Sequence, residues 1–125
     1  KELGLEKNVK FLGSRSYEEL ALIYNKADIF VLANYQEMTP AANEAMASGL
    51  PVVAMECGGG KFVIPNENYG LVSKKFDIDD MANKIIFLIK NPELRKKIAD
   101  RGRKRVMEKF RMEVYADRLY KALTI

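Results

Sequence analysis

Residues 27–60 read ADIFVLANYQEMTPAANEAMASGLPVVAMECGGG, and this stretch decides the fold. After Asp28 comes an unbroken apolar run, Ile29 to Ala33, as expected of a strand covered on both faces. The polar segment Asn34 to Thr39 reads as a loop. Pro40 suits the first position of a helix, with Thr39 as its cap. The helix runs through small residues from Ala41 to Ser48 and stops at Gly49, with Pro51 just beyond. Pro51 to Met55 is a second apolar strand, and Cys57-Gly58-Gly59-Gly60 a loop. Strand, helix, strand in so short a span predicts parallel pairing and an α/β fold.

The flanks extend the alternation. Upstream, Val9 to Leu12 is a strand candidate closed by Gly13. Ser14 or Ser16 then offers an N-cap, with Glu18 and Glu19 in the first turn, where the helix dipole favours negative charge. Leu20, Leu22, Ile23 and Ala27 predict one buried face for a helix ending near residue 26. Downstream, a short turn or helix spans Lys61 to Ile64, Asn66 to Asn68 is a turn, and Gly70 to Val72 a weaker strand. Asp77 caps a helix to about Lys90 with Met81, Ile85, Ile86, Leu88 and Ile89 inward. Asn91-Pro92-Glu93 restarts the chain into a helix ending near Lys109, and a last helix covers Glu113 to Leu123. Four short strands make a small open sheet, fewer than doubly wound domains usually hold. With a first residue that is Lys rather than Met, this predicts a piece of a longer protein: one domain over residues 1–125, lacking its own first part.

Composition narrows the chemistry. The chain has 125 residues, 48% hydrophobic and 30% charged, which is ordinary for a globular domain. It contains no His, which excludes imidazole zinc ligands and a Ser-His-Asp triad within this chain. A single Cys, Cys57, makes no internal disulfide. No apolar run approaches the ~20 residues of a membrane span, and the first ten residues carry no signal-peptide core. The expected location is the cytoplasm.

In open α/β sheets, ligands bind beyond the carboxyl ends of the strands. The loops there are Gly13 to Ser16, Asn34 to Thr39 and Glu56 to Gly60. The start of the helix at Pro40 offers the amides of Met38, Thr39, Ala41 and Ala42 to a phosphate. Glu44, one turn in, offers a carboxylate to two sugar hydroxyls. The glycine triplet offers an anion-binding nest. Each feature also has a purely structural reading: tight helix packing, a solvated glutamate, a plain turn.

Taken together, these pieces resemble the donor-binding half of the GT-B retaining glycosyltransferases of family four, also called group 1. The resemblance is carried by FLG at Phe11 to Gly13, ADIFVLANY at Ala27 to Tyr35, EAMASGLPVVA at Glu44 to Ala54, the Gly58-Gly59 pair, NYGLV at Asn68 to Val72 and VMEKF at Val106 to Phe110. It implies a Rossmann-like parallel sheet with flanking helices. It also implies hexosyl transfer from a UDP-, GDP- or ADP-sugar to an acceptor hydroxyl with retained configuration, in carbohydrate biosynthesis. Two family glutamates separated by seven residues bracket the donor. Glu44 matches the second, which holds the ribose. Counting back for the first, which contacts the transferred sugar, lands on Gln36; Glu37 is the nearest carboxylate and needs one residue fewer. The resemblance also implies donor contacts from the backbone at Met38, Thr39 and Ala41, and from Gly13, Ser14 and Arg15 beside the nucleobase. It implies no metal and no cofactor, because basic residues upstream of this chain hold the diphosphate. The acceptor-binding domain is upstream too, a partner within the same protein.

From Lys90 to Arg111 ten Lys and Arg stand against three acids. The bland reading is a solvated helix face; the functional one is attraction to anionic lipid at a membrane surface. The cations are not interleaved with exposed aromatics, so nucleic acid is not an expected partner. Gln36 and the glycines missing from the acidic loop keep open a degenerate nucleotide-sugar-binding scaffold without catalysis; a third reading is a flavodoxin-like interaction domain with no sugar ligand.

Overall fold

The structure is a computed structural model and describes residues 3–124. Its elements are α1 (Tyr17–Lys26), β1 (Phe30–Leu32), α2 (Pro40–Ala47), β2 (Val52–Met55), α3 (Gly60–Val63), β3 (Leu71–Ser73), α4 (Ile78–Lys90), α5 (Pro92–Lys109) and α6 (Met112–Leu123). The three strands form one parallel sheet in the order β1-β2-β3.

β2 is the centre, and its side chains show why an apolar run without alternation was needed. Val52 and Ala54 point to one face, where they meet Ala45 and Met46 of α2, Val63 of α3, Ile64 and Val106 of α5. Val53 points to the other, against Leu71, Leu88 of α4 and Ile98 of α5. Successive residues of a strand alternate between faces, so a strand sandwiched by helices must be apolar throughout. α5 serves both clusters. Its 18 residues span about 27 Å at 1.5 Å per residue, enough to carry Ile98 to one face and Val106 to the other. Gly102, between them, is buried where a Cβ would stand 3.0 Å from the Tyr69 carbonyl oxygen and 3.2 Å from Met46 Cε. Only glycine lets α5 approach α2 that closely.

Part of the basic run is structural. Arg95 donates to the Leu88 carbonyl at the end of α4. Arg105 donates Nε to Val63 O at 2.9 Å and Nη2 to Phe62 O at 2.6 Å. Its guanidinium also lies 5.3 Å from the centroid of the Tyr69 ring. Cations at helix C-termini satisfy carbonyls left without intrahelical donors and complement the dipole. The remaining cations of α5 are largely exposed.

The structure departs from the sequence-based expectations in four places. Val9 to Leu12 forms no strand: no described segment pairs with it, and Phe11 is 95% exposed. The sheet therefore has three strands rather than four among the described residues. α1 begins after Ser16, not Ser14, and closes a capping box with Glu19, but buries none of its residues fully; Leu22 is exposed. β1 lies at the edge of the sheet and exposes Val31, so only one of its faces is covered. In α4, Leu88 is buried and Met81 and Ile85 pack against it, while Ile86 and Ile89 face outward. No described helix is long and apolar enough to cross a membrane.

Candidate functional site

The loop after β1 is held in place by the loop after β2. Gly58 N–H donates to Gln36 O, and Met38 N–H donates to Gly58 O, each at 3.2 Å, which makes a single parallel bridge between Glu37 and Gly58. A Cβ on Gly58 would lie 3.0 Å from Gln36 O, so the bridge requires glycine there. Within the loop, Gln36 N–H donates to Asn34 Oδ1 at 2.9 Å, an Asx turn. Backbone bonds thus fix both Gln36 and Glu37 at the carboxyl end of the sheet, with their side chains exposed.

α2 starts from this loop. Thr39 has the extended backbone of an N-cap, but its side chain makes no capping bond. Thr39 Oγ1 is buried with no protein partner, and so is Asn43 Oδ1 one turn later. Buried polar atoms normally find partners, so two orphans beside one helix start require an explanation. Of the four amides expected to face a ligand, two are engaged: Met38 by Gly58 O and Ala42 by Thr39 O. None of the described hydrogen bonds engages the amides of Thr39 and Ala41.

Glu44 is half-buried on α2 and accepts a hydrogen bond from the Tyr24 hydroxyl of α1, with 3.4 Å between Tyr24 Oη and Glu44 Oε2. Tyr24 itself packs edge-on against Phe30, with ring centroids 6.0 Å apart. Burial, and secondarily the Glu44 carboxylate, pushes the Tyr24 hydroxyl above its ordinary pKa, so it stays protonated and donating. Burial likewise raises the Cys57 thiol, which makes it a poor nucleophile at neutral pH.

The described bonds set Glu37 and Met38 against the glycine loop and start α2 at Thr39, with Ala41 in its first turn and Glu44 one turn in, tied to Tyr24. Gly13, Ser14 and Arg15 lie in the segment before α1. All three are exposed, and Arg15 pairs with Glu19 of the helix that follows it at 3.8 Å. No described hydrogen bond or ion pair joins them to Glu37 or Glu44. The sequence does not disclose two features of this site: the part of Tyr24 and the bridging role of Gly58. Tyr24 could have been suspected from its place on the inner side of α1, where a phenol needs a partner for its hydroxyl. Gly58 as bridge partner had no local signal, because its role depends on a loop some twenty residues away.

Comparison with known proteins gives this geometry its context. Residues 1–105 match the family described as "Glycosyl transferases group 1", and the chain belongs to that family. It is 36% identical over 108 residues to an uncharacterized glycosyltransferase of Methanocaldococcus jannaschii, covering 85% of this chain and 30% of that one. Sucrose-phosphate synthase from Thermosynechococcus elongatus superposes with a TM-score of 0.87 at 35% identity, covering 98% of this chain and 32% of that one. HepE of Anabaena, solved in complex with UDP and glucose, superposes with a TM-score of 0.86 at 25% identity, covering 98% of this chain and 34% of that one. The fold is that of GT-B glycosyltransferases. The chain spans about a third of the length of these relatives.

Proposed function

We propose that residues 1–125 are the donor-binding part of a glycosyltransferase that moves a hexosyl group from a nucleotide sugar to an acceptor hydroxyl with retained configuration. The observation that carries this reading is the Glu37–Gly58 bridge, which holds an acidic loop, a glycine loop and the start of α2 together beyond the strands. HepE, a structural relative, has been solved with UDP and glucose bound.

In this reading Glu44 accepts the ribose hydroxyls and Glu37 contacts the transferred sugar. The amides of Thr39 and Ala41, at the positive end of α2, face the diphosphate. Gly13, Ser14 and Arg15 line the nucleobase, which requires the exposed loop to lie along the ligand. The bond between the anomeric carbon and the diphosphate oxygen breaks and a bond to the acceptor oxygen forms. The acceptor proton passes to the leaving diphosphate. Negative charge grows on that leaving group, so donors fixed around it in advance stabilise the transition state more than the ground state. The strongest of those donors, together with the acceptor-binding domain, come from other parts of the whole enzyme, and no metal or cofactor enters. The enzyme works in the cytoplasm, with the exposed cations of α5 against anionic lipid.

The test offers UDP-, GDP- and ADP-sugars to the full-length protein and follows release of the nucleoside diphosphate. Turnover that falls strongly in Glu37→Gln and less in Gln36→Ala is the expected pattern. The reverse order moves the sugar contact to Gln36. Absence of turnover with nucleotide binding retained favours the scaffold.

A further inference from the structure

The carboxyl end of the sheet carries a second feature that the proposed donor site leaves unused. Tyr35 follows β1 and Phe76 follows β3, strands at opposite edges of the sheet, yet their rings meet with centroids 4.8 Å apart and planes tilted by 55°. Both rings stay open to solvent, Tyr35 at 44% and Phe76 at 63% exposure. Lys75 Nζ stands 5.3 Å from the Tyr35 centroid and 5.4 Å from that of Phe76. Phe76 has φ 61°, a region otherwise occupied by glycines among the described residues. A bulky side chain is strained there, and such strain concentrates at functional positions.

Holding two loops together does not account for this arrangement. Apolar glue gains by burial, whereas the Phe76 ring is mostly wet and sits where glycine would be unstrained. What the pair does present is the exposed part of two rings with the Lys75 ammonium over them. A pyranose ring is the matching shape: its C–H face lies on aromatic carbon while its hydroxyls reach an ammonium donor.

Position assigns the sugar. Tyr24 ties Glu44 to α1, which packs on β1 at one edge. Glu37 is bridged to Gly58 at the end of the central strand β2. The aromatic pair reaches on to the loop after β3. Tyr35 precedes Glu37 on the same loop after β1, so a sugar held by the pair neighbours the transferred sugar that Glu37 contacts, where the receiving molecule has to come. Resting on that reading of the donor site, we propose that Tyr35, Phe76 and Lys75 form a platform that stacks a hexopyranoside acceptor and supplements the acceptor-binding domain of the whole enzyme.

Saturation-transfer NMR on the full-length protein with the methyl glycosides of glucose, mannose and galactose tests this. At least one glycoside is expected to bind. Its affinity falls roughly three- to tenfold in Phe76→Gly, the scale of an aromatic contact, while the thermal midpoint holds or rises. Tyr35→Leu, which keeps apolar bulk without an aromatic face, reproduces the loss and stands in should Phe76→Gly fail to fold. Binding of none of the three glycosides, or equal binding by wild type and variant, overturns the platform. Titration with UDP, GDP and ADP is run alongside. If nucleotides ignore the Glu44→Ala change while Phe76→Gly still loses the glycoside, the donor reading fails and the aromatic sugar site remains.

Discussion

Tyr24 and Glu44 lie twenty residues apart and meet through one hydrogen bond. Glu44 was legible in the sequence because it falls one turn into a helix whose start is marked by Pro40 and whose end by Gly49. Tyr24 was not, since nothing local says which helix its hydroxyl will face. The contact has a measurable consequence. Tyr24→Phe removes the donor and keeps the ring on Phe30, so stability should hardly change. Nucleotide affinity of the full-length protein should weaken by about 0.5–1.5 kcal/mol, the net worth of an ordinary hydrogen bond, measured by calorimetric titration. An unchanged affinity would mean that Glu44 needs no help to keep its orientation. The choice between Gln36 and Glu37 stayed open for a related reason: spacing along the chain counts residues, whereas the bridge to Gly58 fixes the backbone of both.

At the scale of elements, punctuation was more informative than periodicity. Pro40, Gly49, Asp77 and the Asn91-Pro92 pair mark boundaries that the structure reproduces within a residue or two. The inward faces of α1 and α4 were overestimated, because an apolar pattern says that a residue can be buried, and only the neighbours decide whether it is. Leu22 and Ile89 remain exposed. The Val9 to Leu12 segment fails on the same ground, since an extended run becomes a strand only beside a partner edge. α5 divides its cations between two tasks. Arg95 and Arg105 cap other helices, while Lys97, Arg103 and Lys109 point outward. If the outward set meets anionic lipid, the full-length protein should sediment with vesicles containing acidic phospholipid at low ionic strength. It should be released as salt rises, because screening shortens to about 8 Å at physiological ionic strength. Charge reversal of Lys97 and Arg103 should abolish the sedimentation. Binding that ignores salt would remove the membrane role.

At the scale of the molecule, the three strands build one wall. The relatives are about three times as long, and the proposed chemistry needs groups from the remainder. The isolated 125 residues should therefore release no nucleoside diphosphate from UDP-, GDP- or ADP-sugars. Fixing the reactants alone can supply roughly 7–11 kcal/mol of barrier lowering, and one wall does not fix an acceptor against a donor. Sustained turnover by this chain alone would show that the wall is sufficient.

The central claim is that this wall holds a nucleotide through Glu44, and a titration tests it most directly. UDP, GDP and ADP are added in turn to the full-length protein and to its Glu44→Ala variant, with the thermal midpoint followed in parallel. Glu to Ala in a helix costs little in propensity and the lost Tyr24 bond about 0.5–1.5 kcal/mol, so the variant should unfold at a slightly lower temperature and remain folded for the titration. At least one nucleotide should bind the wild type, and its affinity should fall in the variant by about 1.5–3 kcal/mol, the range for hydrogen bonds to a charged group. If all three nucleotides bind the variant as they bind the wild type, Glu44 does not hold the ribose and the donor site must be sought elsewhere.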